Sequence, residues 1–215
     1  MTARMARAAL IAAMAVAGPA CSDIGSPQRG GDVYEWRLVS GPDTLHYHWA
    51  SASLPVRFWV EDVNGMPAHL AAAVDAWRSA FLYREFDGTI VADSSDADVI
   101  VRGTSASGSG VLLSSAPECQ GATDVVIDVE AATLELPIRI YVSPRFDPTG
   151  AATQRCLALT TIHEVGHALG IFRHSTNAND IMYFDPQVTG LSERDRATAE
   201  VVYHVPPTIT ATRGQ

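Results

Sequence analysis

The chain holds 215 residues, with 24 Asp and Glu against 15 Lys and Arg, for a formal net charge of −9. That acidity gives no electrostatic reason to bind nucleic acid or an anionic membrane, and no basic run, heptad or internal repeat points that way. Hydrophobic residues make up 47%, so the length suits one domain with an ordinary core and excludes a disordered chain.

Arg4 and Arg7 precede a mostly apolar run over residues 8–17. The run is too short to span a bilayer comfortably, and Ala15-Val16-Ala17 offers a cleavage site, so residues 1–20 read as a secretory signal. Ala20-Cys21 offers a second reading, a lipoprotein signal with Cys21 as the lipidated residue, although Gly18 and Pro19 depart from the usual pattern. Secretion and lipid anchoring to the cell envelope both stay open; a membrane enters only through that anchor. Loss of residues 1–20 removes two arginines and takes the charge from −9 to −11. Cys119 and Cys156 then remain, and an oxidising compartment calls for a disulfide between them.

Residues 21–52 read as a polar linker followed by N-terminal strands. Residues 33–39 and 44–49 alternate and predict a hairpin outside the main core. His46 and His48 share a strand face there; with His69 they offer a second metal by spacing alone, a weaker reading than exposed or capped histidines. Residues 54–60 are β-branched and aromatic and predict a strand. Residues 67–84 predict a helix, with Leu70, Val74, Trp77 and Phe81 at helical spacing and Pro67 in the first turn. Residues 89–92 and 97–102 predict strands around an Asp/Ser turn. The acidic run 93–98 is compatible with Ca²⁺ but reads more simply as a solvated turn. Residues 103–121 are Gly/Ser-rich and predict a long loop with a short strand at 111–113. Residues 124–129 and 137–142 predict a hairpin across 130–133, one strand of it lining a cleft where an extended peptide can add.

Residues 149–169 predict the helix that carries the sharpest signal, His163-Glu164-Val165-Gly166-His167. A helical turn takes about 3.6 residues, so the two histidines project from one face and can grip a single Zn²⁺. Glu164, one residue on, can reach a water on that metal rather than the metal. Ala158, Ile162, Val165 and Leu169 form a core-facing stripe beside the histidine line. Cys156 sits two turns back, about 10 Å by helical rise and too far to ligate; its bridge to Cys119 would pin the helix to the loop before it. Gly170 can end the helix in a left-handed conformation, after which the chain turns back and His174 completes the set. Arg173 stays protonated and cannot ligate. Asp185-Pro186 marks a turn, and a last helix starts at Leu191 with Ser192 and Asp195 as a capping pair. It ends before Pro206-Pro207, and residues 208–215 read as a flexible tail.

The run from His163 to His174, with Ser175 and then Asp180-Ile181-Met182-Tyr183, resembles the metzincin zinc proteases, most of all their matrixin branch. Leu191-Ser192-Glu193-Arg194-Asp195 is similar to the start of the matrixin C-terminal helix. The resemblance spans roughly residues 54–205. It implies an α+β, zincin-like catalytic domain over 53–207: a twisted mixed sheet of about five strands, an active-site helix, a packing helix, and a C-terminal helix after a methionine turn. It implies one catalytic Zn²⁺ on His163, His167 and His174, Glu164 as the catalytic base, and Met182 as an apolar floor rather than a ligand. The implied activity is hydrolysis of peptide bonds in extracellular or envelope proteins, by a monomer whose partner is a protein or peptide substrate.

Three departures matter. The usual spacing HExxHxxGxxH would place the last ligand at Arg173; here it is HExxHxxGxxxH, and the loop is one residue longer. Tyr183 follows Met182 directly, whereas the family's functional tyrosine follows by two, so it receives no role. The stretch before the first core strand carries no cysteine motif of the kind that keeps matrixins latent. Two alternatives stand beside this reading. One is a zinc protease with Glu193 or Glu200 as third ligand. The other is a non-catalytic, surface-anchored binding module on the same fold, against which the intact Glu164 counts.

Overall fold

The structure, a computed structural model, describes residues 31–105 and 111–213. The signal reading of residues 1–20 and the lipidation reading of Cys21 lie outside the described residues. In chain order the elements are β1 (Leu38–Ser40), β2 (Asp43–Leu45), β3 (Val56–Val60), α1 (Met66–Arg78), β4 (Gly88–Ile90), β5 (Val99–Arg102), β6 (Val111–Ser115) and β7 (Cys119–Asp124). There follow β8 (Ile127–Asp128), β9 (Thr133–Leu136), β10 (Ile138–Pro144), α2 (Ala151–Ala168), α3 (Glu193–His204) and β11 (Thr210–Arg213).

The main sheet is mixed, in the order β4-β3-β5-β10-β7-β6. Strands β4, β3, β5 and β10 run parallel; β7 is antiparallel to β10, and β6 is antiparallel to β7. Val99, Ile100 and Val101 of β5 are buried in succession, as expected of a central parallel strand covered on both faces. Helices α1 and α2 pack together, and α2 lies on β7 and β10. Leu70, Ala73, Val74 and Trp77 form the buried stripe of α1, and Trp77 Nε1 donates to Ile162 O of α2 at 2.7 Å. Every residue of α2 over 159–168 is buried. No helix among the described residues is long and apolar enough to cross a membrane.

Several sequence expectations shift. Helix α1 ends at Arg78 rather than 84, because the stripe runs out: Leu82 and Tyr83 are exposed, and Arg84 adopts φ 59°, which a right-handed helix cannot contain. The expected mixed sheet of about five strands is present, with β6 adding a sixth on the outer side of β7. The partner of β10 is β7, which starts at Cys119 inside the expected loop. Residues 127–136 instead leave the sheet as the β8–β9 hairpin. The Cys119–Cys156 disulfide forms, with Cα atoms 5.9 Å apart, and joins α2 to a strand rather than to a loop.

The expected outlying hairpin is part of the core. Tyr34 and Trp36, then Leu45, Tyr47 and Trp49, alternate along extended chain, so each set presents one apolar face, and all five are buried in the main cluster. Trp49 Nε1 donates to Ala168 O at 3.0 Å, and Phe172 N donates to Trp36 O at 2.8 Å, bracing the end of α2. The tail is likewise anchored over part of its length: Ile209 is fully buried and β11 pairs with β9 in parallel.

Candidate metal centre

The last turns of α2 deliver two imidazoles into the interior. His163 Nδ1 lies 2.8 Å from Ile181 O, and His167 Nδ1 lies 2.6 Å from Ile171 O. A carbonyl only accepts, so both Nδ1 atoms carry the proton and both Nε2 atoms present a lone pair. The helix then stops in a Schellman motif, with Ile171 N donating to Gly166 O and Gly170 N to His167 O. Gly170 adopts φ +103°, and a Cβ there would stand 1.9 Å from Tyr47 O, so both backbone angle and space require glycine.

The chain after Gly170 brings in His174, half-buried, whose Nε2 is 3.3 Å from His167 Nε2. The ligand atoms of His163, His167 and His174 all lie within 4.8 Å of one another, the one such group among the described residues. Arg173 is exposed, whereas His174, one residue later, joins the group. The Glu193 side chain is 86% exposed, and Glu200 is buried on α3; neither joins the group.

A metal fits these residues by three independent measures. Tetrahedral coordination at roughly 2.0–2.1 Å separates ligand nitrogens by about 3.3–3.4 Å, matching the His167–His174 spacing of 3.3 Å. His163 Nε2 is buried without a hydrogen-bond partner, an arrangement that costs free energy unless something accepts its lone pair. Burial, reinforced by the His174 charge, holds His163 down to about 3. Burial also pushes His167 well below its usual value and His174 down as well, so all three favour the neutral form that ligates. A set of three imidazoles suits zinc or another transition metal rather than calcium or magnesium.

Glu164 is fully buried beside this group. Thr123 of β7 donates its hydroxyl to Glu164 Oε2 at 2.7 Å and lies 3.2 Å from the Glu164 carbonyl. Beneath the histidines, Met182 is fully buried. A Cβ at Gly166 would stand 2.4 Å from Met182 Sδ and 2.7 Å from Trp77 Cζ2, so glycine is what lets these side chains close under the helix.

The turn carrying Met182 is fixed by two carboxylates. Asp195 accepts from Ile181 N at 2.8 Å, from Met182 N at 3.4 Å and from the Tyr34 hydroxyl at 2.9 Å, while closing the capping box with Ser192. Asp180 accepts from the hydroxyls of Ser175 and Ser192 and from Arg194 Nη1 at 2.8 Å. Ile181 O in turn orients His163. The capping pair was legible in sequence; that its carboxylate also holds the methionine turn was not. Thr123 and Gly166 carried no sequence signal, and Trp77 showed only as a member of the α1 stripe, because their roles depend on which strand and helix they meet.

The remaining candidates do not converge. His69 Nε2 pairs with Gln154 Oε1 at 3.0 Å, and His48 packs on Tyr203 with ring centroids 5.0 Å apart. Neither these nor His46 enters a three-ligand group among the described residues. In the acidic run, Asp93 accepts from Ser95 N and Asp98 pairs with Arg57, so no calcium cage forms there. The expected cleft edge also moves. β7 carries the Glu164-holding threonine but is covered by β6, with Leu112 in register opposite Thr123, and β6 ends the sheet. No protein-family model matches the chain, and no curated protein matches it in sequence.

Proposed function

We propose that the chain is a zinc-dependent endopeptidase of metzincin, matrixin-like type, acting outside the cytoplasm on peptide bonds of proteins. The observation that carries this reading is the convergence of three neutral imidazoles, two locked by backbone carbonyls, beside a buried carboxylate held by Thr123. The spacing of His163, His167, Gly170, His174 and Met182, which resembles that of metzincins, supplies the family.

In this reading His163, His167 and His174 hold Zn²⁺. When bound, the ion supplies Lewis-acid polarisation of the scissile carbonyl and makes water more acidic. Glu164 takes a proton from the attacking water and returns it to the nitrogen of the leaving amine. Thr123 keeps the carboxylate in one orientation, so this exchange needs no search of rotamers. Ile181 and Ile171 keep Nδ1 of the two helix histidines protonated, so the tautomer cannot drift away from the ligating form. Met182, seated against Gly166, supports the histidine pair from below.

Export is consistent with the paired cysteines and with the apolar run after Arg4 and Arg7. The zinc-loaded protein should cut members of a random peptide library, and a zinc chelator should stop it. Zinc-loaded protein that leaves every library member intact would contradict the proposal.

A further inference from the structure

The three candidate ligands are not held alike. His163 and His167 are fully buried, and each donates Nδ1 to a backbone carbonyl, Ile181 O and Ile171 O. His174 is half-buried, and among the described residues its Nδ1 has no hydrogen-bond partner. A ligating histidine almost always donates its other ring nitrogen, and that partner fixes the orientation of the ring. The third ligand lacks the device that orients the other two, and it stands on a loop rather than on α2.

An aromatic ring stands beside it instead. Phe184 and the His174 imidazole meet edge to face, with ring centroids 5.4 Å apart and planes at 88°. Such T-shaped pairs are favoured at centroid separations of about 4.5–7 Å. The other rings against His174 are those of His163 and His167, so Phe184 is the ring contact from outside the ligand group. The backbone brings the two together. Ser175 N donates to Met182 O at 2.8 Å, Ser175 bridges Tyr183, and Tyr183 N donates to Asp180 O at 3.2 Å. His174 and Phe184 each lie one residue from that bridge, so the loop and the methionine turn are tied where the rings meet. Phe184 is 45% exposed, so the core does not account for its place. Single exposed apolar side chains are ordinary, but this one touches a candidate ligand.

We infer that Phe184 is the positioning residue of the third ligand: its ring holds the His174 imidazole in the orientation that presents Nε2 to the metal. The inference rests on the zinc reading above and adds the group that stands in for the carbonyl His174 lacks. Without the contact the imidazole spreads over the roughly three staggered wells of its first torsion. The fraction of molecules with Nε2 in place then falls, and the apparent metal affinity falls in proportion. The contact depends on a ring and not on a polar group, so tyrosine at 184 keeps it, whereas alanine and leucine do not.

The test titrates Zn²⁺ into the metal-free full chain against a competing chelator. Wild type is compared with Phe184→Ala, Phe184→Leu and Phe184→Tyr, each also made in a His174→Ala background. Visible absorption of the Co²⁺-loaded proteins reports the ligand geometry. Phe184→Ala and Phe184→Leu should bind Zn²⁺ about threefold to tenfold more weakly and shift the Co²⁺ spectrum, with the circular dichroism of the metal-free chain unchanged. Phe184→Tyr should match wild type. In the His174→Ala background Phe184→Ala should cost nothing further, because its effect runs through that imidazole. Wild-type affinity in Phe184→Ala and Phe184→Leu, or an equal loss in the His174→Ala background, overturns the positioning role while the metal centre stands. A wild-type chain that takes up no Zn²⁺ overturns the zinc reading and this inference with it. The expected cycle in a chain that cleaves no peptide supports the positioning role and overturns the peptidase.

Discussion

The two sides of the candidate metal centre are built differently. On the side of α2 and the methionine turn, each important atom has a polar partner: His163 on Ile181, His167 on Ile171, the turn on Asp195, and Asp180 on Ser175, Ser192 and Arg194. On the side of β7 and the N-terminal segment 33–49, polar ties such as Thr123–Glu164, Trp49–Ala168 and Tyr34–Asp195 and the Cys119–Cys156 bridge stand among more extensive backbone pairing and apolar contact. The proposed chemistry therefore rests on the more densely hydrogen-bonded side. Substitutions on the first side should abolish function, whereas substitutions on the second should tune it.

The largest expected effect is at the third ligand. His174→Ala should weaken zinc binding by orders of magnitude, while Arg173→Ala leaves it intact; zinc titration against a competing chelator separates them. Retention of tight zinc in His174→Ala would restore Glu193 or Glu200 as a ligand. Next comes the tie between Thr123 and Glu164. Thr123→Val removes the donor to Glu164 and leaves a buried carboxylate short of a hydrogen bond, at a cost of about 1–3 kcal/mol. Activity should fall roughly tenfold or more with zinc content unchanged, since about 1.4 kcal/mol is a factor of ten. Thr123→Ser should recover most of it. If Thr123→Val matches wild-type kcat, the apolar side plays no part in the chemistry.

Gly166→Ala probes packing rather than chemistry. The new Cβ meets Met182 Sδ and Trp77 Cζ2, and overpacking of this kind costs about 1–3 kcal/mol, read as a lower thermal midpoint. The smallest effect in ordinary buffers is that of acid. His163 is held down to about 3 in the fold by burial, against about 6.5 unfolded. The unfolded chain thus binds more protons between those values, so stability is fully present above about pH 6.5 and falls as pH drops towards 3. His167 and His174 shift the same way. Zinc-free protein should unfold more readily at pH 4 than at pH 7, and zinc should be released over the same window.

The same contrast explains what the sequence disclosed. His163, His167, Gly170, His174 and the Ser192–Asp195 cap were legible because their spacing is fixed by helical geometry and their residue types have few other uses. Val99–Arg102 was legible by its β-branched run, and the buried stripe of α1 by periodicity. β7 was not: Cys-Gln-Gly-Ala-Thr-Asp has no strand pattern, and it becomes a strand by pairing with β10 and through its disulfide to α2. With the strand unread, Thr123 could not be placed against Glu164. The segment over 33–49 alternates like an independent hairpin, and only the three-dimensional fold shows it meeting Ala168 through the Trp49 indole and Gly170 and Phe172 through the Tyr47 and Trp36 carbonyls.

The most direct measurement of the central claim is the peptide-cleavage rate of zinc-loaded Glu164→Gln relative to wild type. The amide keeps the shape of the carboxylate and cannot take the proton, so the rate should fall by about 10²–10⁴ with zinc still bound. Turnover equal to wild type would contradict the account.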